Sequence, residues 1–213
     1  MILQKERELV AEYGRKLLEI GLVVGTFGNI SVYNEKEGLM AISPSGLDYN
    51  DTNPEDVVVL RPCGKKVDGD RQPSSEYDLH RIFYMKSKTV KAVVHTHSSF
   101  ATTLACLNKE IPPLHYLVAY AGKNVRCTKY VTPGTWELAE AAYQAMQDRN
   151  ACLLGNHGLL AAAETLSYTF DVAEQIEFAA KLYCQSKMVG ELKLLSDEEI
   201  TAVLDSFKTY RKK

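Results

Sequence analysis

The sequence lacks long apolar runs, a charge excess and low-complexity linkers. The best apolar stretch, 159–163, is far shorter than the ~20 residues that a membrane-spanning helix needs. Basic residues number 25 and acidic residues 27, a balance that does not call for nucleic acid or an anionic membrane as partner. No repeat or Gly-, Ser- or Pro-rich linker divides the chain. We therefore expect residues 1–213 to form a single domain.

The sequence also lacks the cysteine pattern of a disulfide framework. The five cysteines are odd in number, widely spaced and never arranged as Cys-x-x-Cys, which argues against a disulfide scaffold and against a thiolate zinc site. The first residues carry charges where a signal peptide would need its apolar segment. These features predict a soluble protein of the cytoplasm.

What is present is a clustered pattern of helices and strands. Apolar periodicity predicts helices over 3–20, 75–87, 99–106, 135–148 and 165–189, with Thr135 and Thr165 as N-caps of the last two. A further helix opens with a capping box at 196–199. Strands are predicted over 29–33, 39–43, 56–60, 92–94, 125–131, 151–155 and 159–163. Because the strands do not alternate strictly with helices, we expect an α/β domain with a mixed, mostly antiparallel central sheet flanked by helices.

The strongest chemical signal is a pair of histidines at the end of an apolar strand. His95 and His97 are two positions apart, so their side chains project from the same face with Cα atoms ~7 Å apart. Two imidazoles at this spacing can share one metal ion, and His157, in a tight turn between two apolar strands, is a candidate third ligand. The alternative is that His95 and His97 are ordinary strand-end residues that bond to nearby backbone.

Glu76 is a further candidate, at the opening turn of the second predicted helix. A carboxylate there is also a good structural residue because it interacts favourably with the helix dipole, while Ser74 or Ser75 caps the helix. Taken alone, the structural interpretation is the better one. His80 follows one turn later on the same helix face, and we expect it to be a structural partner or a partly buried histidine and not a metal ligand.

Three short clusters of small and polar residues could bind a phosphate group. The segments 25–29, 43–46 and 74–75 offer backbone N–H groups or hydroxyls, which are the groups that hold phosphate dianions. None of them matches the nucleotide-binding fingerprints. Each is an ordinary turn by itself, so a phosphate site requires that the fold brings them together.

Taken in order, these motifs resemble those of the class II aldolase/adducin family. The shared segments are 25–31, 43–46, 73–76, 95–97 and 156–158. The segments 111–116, 134–138 and 195–210 are more similar to the fuculose-phosphate aldolases of that family. The resemblance covers nearly the whole chain and implies a three-layer fold.

The resemblance also implies roles for individual residues. His95, His97, His157 and Glu76 match ligands of one zinc ion per subunit, and Glu76 also matches the catalytic acid/base. The implied phosphate-binding residues are Gly28, Asn29, Ser45, Gly46, Ser74 and Ser75. The implied aldehyde-positioning residues are Tyr116 and Tyr210, of which Tyr116 acts from a neighbouring subunit of a homotetramer. Pro133 stands where a fuculose-phosphate aldolase has an aromatic residue, which affects the expected aldehyde preference.

The implied reaction belongs to fucose degradation. It is the reversible, zinc-dependent cleavage of the small phosphorylated sugar L-fuculose 1-phosphate to dihydroxyacetone phosphate and L-lactaldehyde. Alternatives with the same fold are a pentulose-phosphate 4-epimerase, a methylthioribulose-phosphate dehydratase and another sugar-phosphate aldolase. A non-catalytic scaffold like the adducin head and a purely structural zinc protein are the alternatives from other classes.

Overall fold

One sheet organises residues 1–210, which the computed structural model describes, with side chains through residue 207. Its strands are β1 (Asn29–Asn34), β2 (Leu39–Ile42), β3 (Val58–Leu60), β4 (Lys66–Asp68), β5 (Ala92–Thr96), β6 (Arg126–Cys127), β7 (Ala151–Leu154) and β8 (Gly158–Ala163). The α-helices are α1 (Gln4–Glu19), α2 (Tyr77–Lys86), α3 (Ser99–Cys106), α4 (Trp136–Ala145), α5 (Leu166–Val189) and α6 (Asp197–Tyr210). In the described part of the chain, no helix is long and apolar enough to cross a membrane.

The strand order confirms the predicted sheet. It runs β4-β3-β2-β1-β5-β8-β7-β6, and every pairing is antiparallel except that of β6 with β7. Buried residues of α1, α3 and α5 pack on one face, and those of α2 and α4 pack on the other. The α/β architecture with three layers is therefore confirmed.

Side-chain alternation along the central strands decides which residues face α2 and α4. On β5, Ala92 and Val94 belong to the core under α1, α3 and α5, whereas Val93 belongs to the core under α2 and α4. His95 continues the Val93 side of the strand because side chains alternate along it. Opposite it on β1, Asn29 pairs with His95 and Ser31 pairs with Val93. Polar residues are thus placed on the face that α2 covers.

The main differences from the predicted elements lie in short and irregular segments. The strand predicted from 56 begins at Val58, because a capping box between Asn53 and Asp56 folds 54–56 into a 3₁₀ turn. The strand predicted over 125–131 is reduced to Arg126–Cys127. β4 was not predicted, because its exposed, polar residues carry no apolar alternation.

The caps predicted for α4, α5 and α6 are present, whereas the N-cap of α2 is Glu76 and not Ser74 or Ser75. The side chains of Thr135 and Thr165 accept hydrogen bonds from the first turns of α4 and α5. At the start of α6, the Ser196 N–H donates to Glu199 Oε2 at 2.7 Å, and the Glu199 N–H donates to Ser196 Oγ at 3.2 Å. This reciprocal pair is the predicted capping box.

A glycine allows β5 and β8 to approach closely where the histidines meet. A Cβ added to Gly158 would lie 2.3 Å from the Thr96 carbonyl oxygen and 3.0 Å from His97 Cδ2. Both contacts are too short, and the first involves backbone that belongs to the central pairing of the sheet. The absence of a side chain at Gly158 therefore lets the β7–β8 turn lie against the end of β5.

We predict that Gly158→Ala lowers the free energy of unfolding by about 1–3 kcal/mol, because overpacking at this contact must push β5 and β8 apart. Urea denaturation measures this loss. The control is Gly190→Ala, because Gly190 has an extended φ of 176° and an added Cβ there meets nothing within 4 Å. The control is expected to stay within about 0.5 kcal/mol of the wild type. Unchanged stability of Gly158→Ala would contradict the prediction.

Candidate functional site

Four side chains with metal-ligand chemistry converge at one end of the central strands. Glu76, His95, His97 and His157 each offer one ligand atom, and these atoms lie within 4.8 Å of one another. His95 Nε2 lies 2.9 Å from His97 Nε2 and 3.4 Å from Glu76 Oε2, while His157 Nε2 lies 3.3 Å from Glu76 Oε1. The structure therefore brings together all four residues that the resemblance implied as metal ligands.

Three different elements place these four residues. His95 lies in β5 and His97 directly follows that strand, so the predicted strand-end pair is present. His157 lies in the turn between β7 and β8, where Asn156 adopts a left-handed φ of 54° that permits the tight reversal. Glu76 is the N-cap residue of α2 and faces the histidines from the neighbouring layer. The sheet thus supplies the imidazoles and α2 supplies the carboxylate.

Hydrogen bonding and burial prepare the imidazoles as neutral ligands. His95 Nδ1–H donates to the Leu159 carbonyl oxygen at 3.0 Å, so its Nε2 presents a lone pair to the cluster. Burial lowers the pKa of His97 to about 4 and holds the pKa of His95 well below its usual value, and repulsion from neighbouring histidines adds to both effects. Burial also lowers the pKa of His157, although Glu76 opposes that shift.

The residues fit a divalent metal ion. Four ligand atoms at about 2.0–2.1 Å from a tetrahedral metal are separated by about 3.3 Å. Of the six residue pairs here, three have ligand-atom separations of 2.9–3.4 Å, and all six are within 4.8 Å. Glu76 Oε1 is buried and has no hydrogen-bond partner among the described residues. A buried carboxylate oxygen without a donor is costly unless a cation lies beside it. The alternative of ordinary strand-end histidines accounts only for the backbone bond of His95 Nδ1.

A cleft next to this cluster collects the small and polar turns. Its volume is about 110 Å³, and its walls come from 26–29, 44–46, 74–76 and His97. The residues predicted to bind phosphate all line it: Gly28, Asn29, Ser45, Gly46, Ser74 and Ser75. The fold therefore meets the condition that the three sequence clusters lie together.

Backbone pairing holds two walls of the cleft in place and leaves hydroxyls available. The Ser45 N–H donates to the Gln72 carbonyl at 2.9 Å, and the Ser74 N–H donates to the Ser43 carbonyl at 3.1 Å. The side chains of Ser45 and Ser75 are exposed. Both lie near the start of α2, whose N-terminal end carries partial positive charge. This arrangement is suited to an anion.

Asn29 connects the cleft to the carboxylate. Its Nδ2 donates to Glu76 Oε2 at 3.0 Å, and its Oδ1 accepts from His80 Nε2 at 2.5 Å. His80 is fully buried and outside the four-ligand cluster, as expected of a structural partner. The link from Glu76 to Asn29 was not predictable from spacing, because it joins residues 47 positions apart.

An aromatic residue that lines the cleft, Phe27, is not among the site residues predicted from the sequence. Phe27 is 61% exposed, and its ring centroid lies 5.7 Å from that of His97. It lines the cleft together with the turn around Gly28. The available signal was an aromatic residue in a glycine-rich turn that belongs to no apolar pattern.

Of the remaining predicted residues, Tyr116 and Pro133 are outside the lining of this cleft. Tyr116 is 50% exposed on the 3₁₀ turn Tyr116–Tyr120, which packs against α5 and α6. Tyr210 is the last residue of α6, and its side chain lies outside the described residues. Pro133 directly precedes Gly134, whose added Cβ would lie 3.2 Å from the Ser75 carbonyl oxygen. The segment around Pro133 therefore lies beside the cleft that the small polar turns form.

Several known proteins are similar to this chain in sequence and fold over nearly their full length. The family model described as "Class II Aldolase and Adducin N-terminal domain" matches residues 8–184. A 5-deoxy-D-ribulose 1-phosphate aldolase of Bacillus thuringiensis serovar kurstaki is 51% identical over 210 residues, with 99% of each chain covered. An L-fuculose phosphate aldolase of Escherichia coli K12 is 38% identical, covering 92% of this chain and 90% of that protein.

Comparison with a solved structure supports the same family assignment. An L-fuculose 1-phosphate aldolase superimposes with a TM-score of 0.94 at 44% identity, covering 96% of each chain. The chain therefore belongs to the class II aldolase and adducin N-terminal domain family, and it is an aldolase of that family.

Proposed function

We propose that this aldolase cleaves 1-phosphorylated ketoses into dihydroxyacetone phosphate and a short aldehyde, with one zinc ion held by Glu76, His95, His97 and His157. The observation that carries the proposal is the adjacency of the four-ligand cluster to the cleft of small polar turns, with Glu76 and His97 belonging to both. A ketose phosphate needs both parts, because its anionic group and its reacting carbons lie a few bonds apart.

The first candidate substrate is 5-deoxyribulose 1-phosphate. The relative named for that activity shares 51% of its residues with this chain over 99% of both lengths. Cleavage between C3 and C4 of this pentulose gives dihydroxyacetone phosphate and acetaldehyde. The second candidate is L-fuculose 1-phosphate, supported by the 44% identical solved structure, and its cleavage gives L-lactaldehyde. The two substrates share the half that becomes dihydroxyacetone phosphate and differ in the aldehyde.

Retro-aldol cleavage places negative charge on the ketone half of the substrate. A bound metal ion supplies Lewis-acid stabilisation of that charge. No lysine that could form a Schiff base is found among the described residues that line the cleft. Zinc would suit a ligand set of three imidazoles and one carboxylate, with Glu76 as both a ligand and the proton carrier.

Glu76 is the proposed proton carrier. In the synthetic direction its carboxylate takes a proton from C3 of dihydroxyacetone phosphate, and in cleavage it returns the proton to the same carbon. The two oxygens differ, because Oε2 accepts a hydrogen bond from Asn29 and Oε1 has no hydrogen-bond partner among the described residues. We assign the proton transfer to Oε1.

The phosphate group is the proposed anchor. The hydroxyls of Ser45, Ser74 and Ser75, the backbone at Gly28 and Gly46, and the N-terminal end of α2 hold the dianion away from the breaking bond. Anchoring at a remote group lets binding energy orient the reacting carbons.

We also propose that residues from another protomer contact the part of the substrate that becomes the aldehyde. Tyr116 is half exposed and does not line the cleft of its own chain, which supports a role at the site of a neighbouring subunit in a homotetramer. Tyr210 is proposed to act beside it on the aldehyde.

The direct test is a product assay on both sugar phosphates with enzyme stripped of metal and then reloaded with zinc. We expect dihydroxyacetone phosphate from both, a higher kcat/KM with 5-deoxyribulose 1-phosphate, and no activity without metal. Release of acetaldehyde or lactaldehyde separates cleavage from epimerisation and from elimination. Failure of both substrates to give dihydroxyacetone phosphate would overturn the proposed reaction, and full activity in a metal-free sample would overturn the metal.

The zinc site has a matched pair of variants within this assay. His157→Ala removes a proposed ligand, whereas His115→Ala removes a histidine outside the four-ligand cluster. We expect His157→Ala to lose bound zinc by elemental analysis and His115→Ala to retain it. Equal zinc content in the two variants would contradict the ligand assignment.

Ser75→Ala is predicted to weaken the binding of phosphorylated substrates. A hydrogen bond to a charged group contributes about 1.5–3 kcal/mol, so KM is expected to rise about 10-fold or more. The control is Ser99→Ala, another exposed serine at the start of a helix but outside the cleft. An equal change for a non-phosphorylated ketose, or an unchanged KM for the phosphorylated one, would show that Ser75 does not contact phosphate.

A further inference from the structure

A chain of buried polar side chains runs from Glu76 into the interior. Glu76 Oε2 accepts from Asn29 Nδ2 at 3.0 Å, and Asn29 Oδ1 contacts His80 Nε2 at 2.5 Å. His80 Nδ1 lies 2.7 Å from Ser31 Oγ, which lies 2.6 Å from the Tyr84 hydroxyl. All five side chains are buried, and Ser31 and His80 are fully so. Polar groups are costly at such positions unless every one is hydrogen-bonded.

The spacing of α2 and β1 brings these residues into register. Glu76, His80 and Tyr84 recur every four positions along the helix, which corresponds to a rise of about 6 Å each time. Asn29 and Ser31 lie two positions apart on β1, which corresponds to about 6.8 Å. The two repeats nearly match, so each turn of the helix meets one inward-facing strand residue. Polar side chains of α2 therefore face polar side chains of β1 at every fourth position of the helix from Glu76 to Tyr84.

The Glu76 carboxylate determines which group donates and which accepts in each hydrogen bond of this series of buried side chains. An ionised Glu76 can only accept, so Asn29 must turn its NH₂ group toward Glu76 and its Oδ1 toward His80. His80 Nε2–H therefore donates to Asn29. Burial lowers the pKa of His80 to about 3, so the ring is neutral and Nδ1 accepts from the Ser31 hydroxyl. The Tyr84 hydroxyl in turn donates to Ser31.

We propose that His80 is a positioning residue of this aldolase: acting through Asn29, it holds Glu76 Oε2 and leaves Oε1 as the oxygen that exchanges a proton with substrate. This inference rests on the proposed function. His80 is neither a member of the metal-ligand cluster nor a lining residue of the cleft, so its effect is indirect. Without its N–H donor, the Asn29 amide is free to rotate and Glu76 loses its fixed orientation.

A merely structural histidine would affect stability without selecting one kinetic step. The two roles separate with His80→Phe, which fills the space without an N–H donor, and His80→Gln, whose amide N–H can take the place of Nε2–H. The control for buried polar groups is Thr169→Val, because Thr169 is fully buried and its hydroxyl donates to the Thr165 carbonyl at 2.7 Å, outside this chain of residues.

The experiment measures kcat and KM with 5-deoxyribulose 1-phosphate, zinc per chain, and melting temperature for the three variants. We expect His80→Phe to lose about 10-fold to 100-fold in kcat with KM and zinc content near the wild-type values. His80→Gln is expected to recover most of that loss, and Thr169→Val is expected to keep the wild-type kcat. A wild-type kcat in folded His80→Phe, or equal losses in the Phe and Gln variants, would overturn the proposal.

A second measurement, made on the wild type, does not depend on activity. Nitrogen-15 NMR of histidine-labelled protein, with the His80 signals assigned by their loss in His80→Gln, reports the tautomer. We expect a neutral ring protonated on Nε2. A ring protonated on Nδ1 or on both nitrogens would overturn the proposal. If wild-type protein cleaves neither sugar phosphate, the proposed function fails, while the tautomer still decides whether His80 directs Asn29 toward Glu76.

Discussion

The burial of Glu76 against three neutral imidazoles is the constraint on which the site depends. The carboxylate has one oxygen bonded to Asn29 and a second oxygen with no hydrogen-bond partner among the described residues. The nearest basic groups, His95 and His157, have lowered pKa values because they are buried, so they do not supply positive charge. Such an arrangement is stable with a cation between the four ligands. The proposed metal binding and the proposed proton chemistry of Glu76 therefore have the same origin.

The sheet meets this constraint through the pairing of its central strands. β5 ends at the histidines, β8 begins beside them, and the absence of a side chain at Gly158 lets the two ends lie close together. On the other side of β5, β1 places Asn29 opposite His95 and so beside Glu76. The same residue borders the cleft of small polar turns. Asn29 thus connects the proposed phosphate site to the proposed acid/base residue.

Much of this arrangement could be predicted from the sequence, and the reasons for the rest are physical. Alternation along an apolar strand was sufficient to pair His95 with His97, and the threonine caps of α4 and α5 followed from local hydrogen bonding. Glu76 could not be separated from a helix-dipole residue, because its role depends on contacts with distant parts of the chain. The bonds of Asn29 and His80 likewise depend on how α2 lies across β1. β4 and the two-residue β6 are held by pairing with neighbouring strands and carry little pattern of their own.

The central claim is that Glu76 moves a proton at C3 of dihydroxyacetone phosphate within a metal-binding cluster. It is tested most directly by the exchange of a C3 hydrogen of dihydroxyacetone phosphate with deuterium oxide, followed by proton NMR without any aldehyde. Wild-type and Glu76→Gln proteins are compared at equal zinc content. The account predicts exchange of one C3 hydrogen by the wild type and a rate lower by about 10²–10⁴-fold in Glu76→Gln. Equal exchange rates in the two proteins at equal zinc content would contradict it.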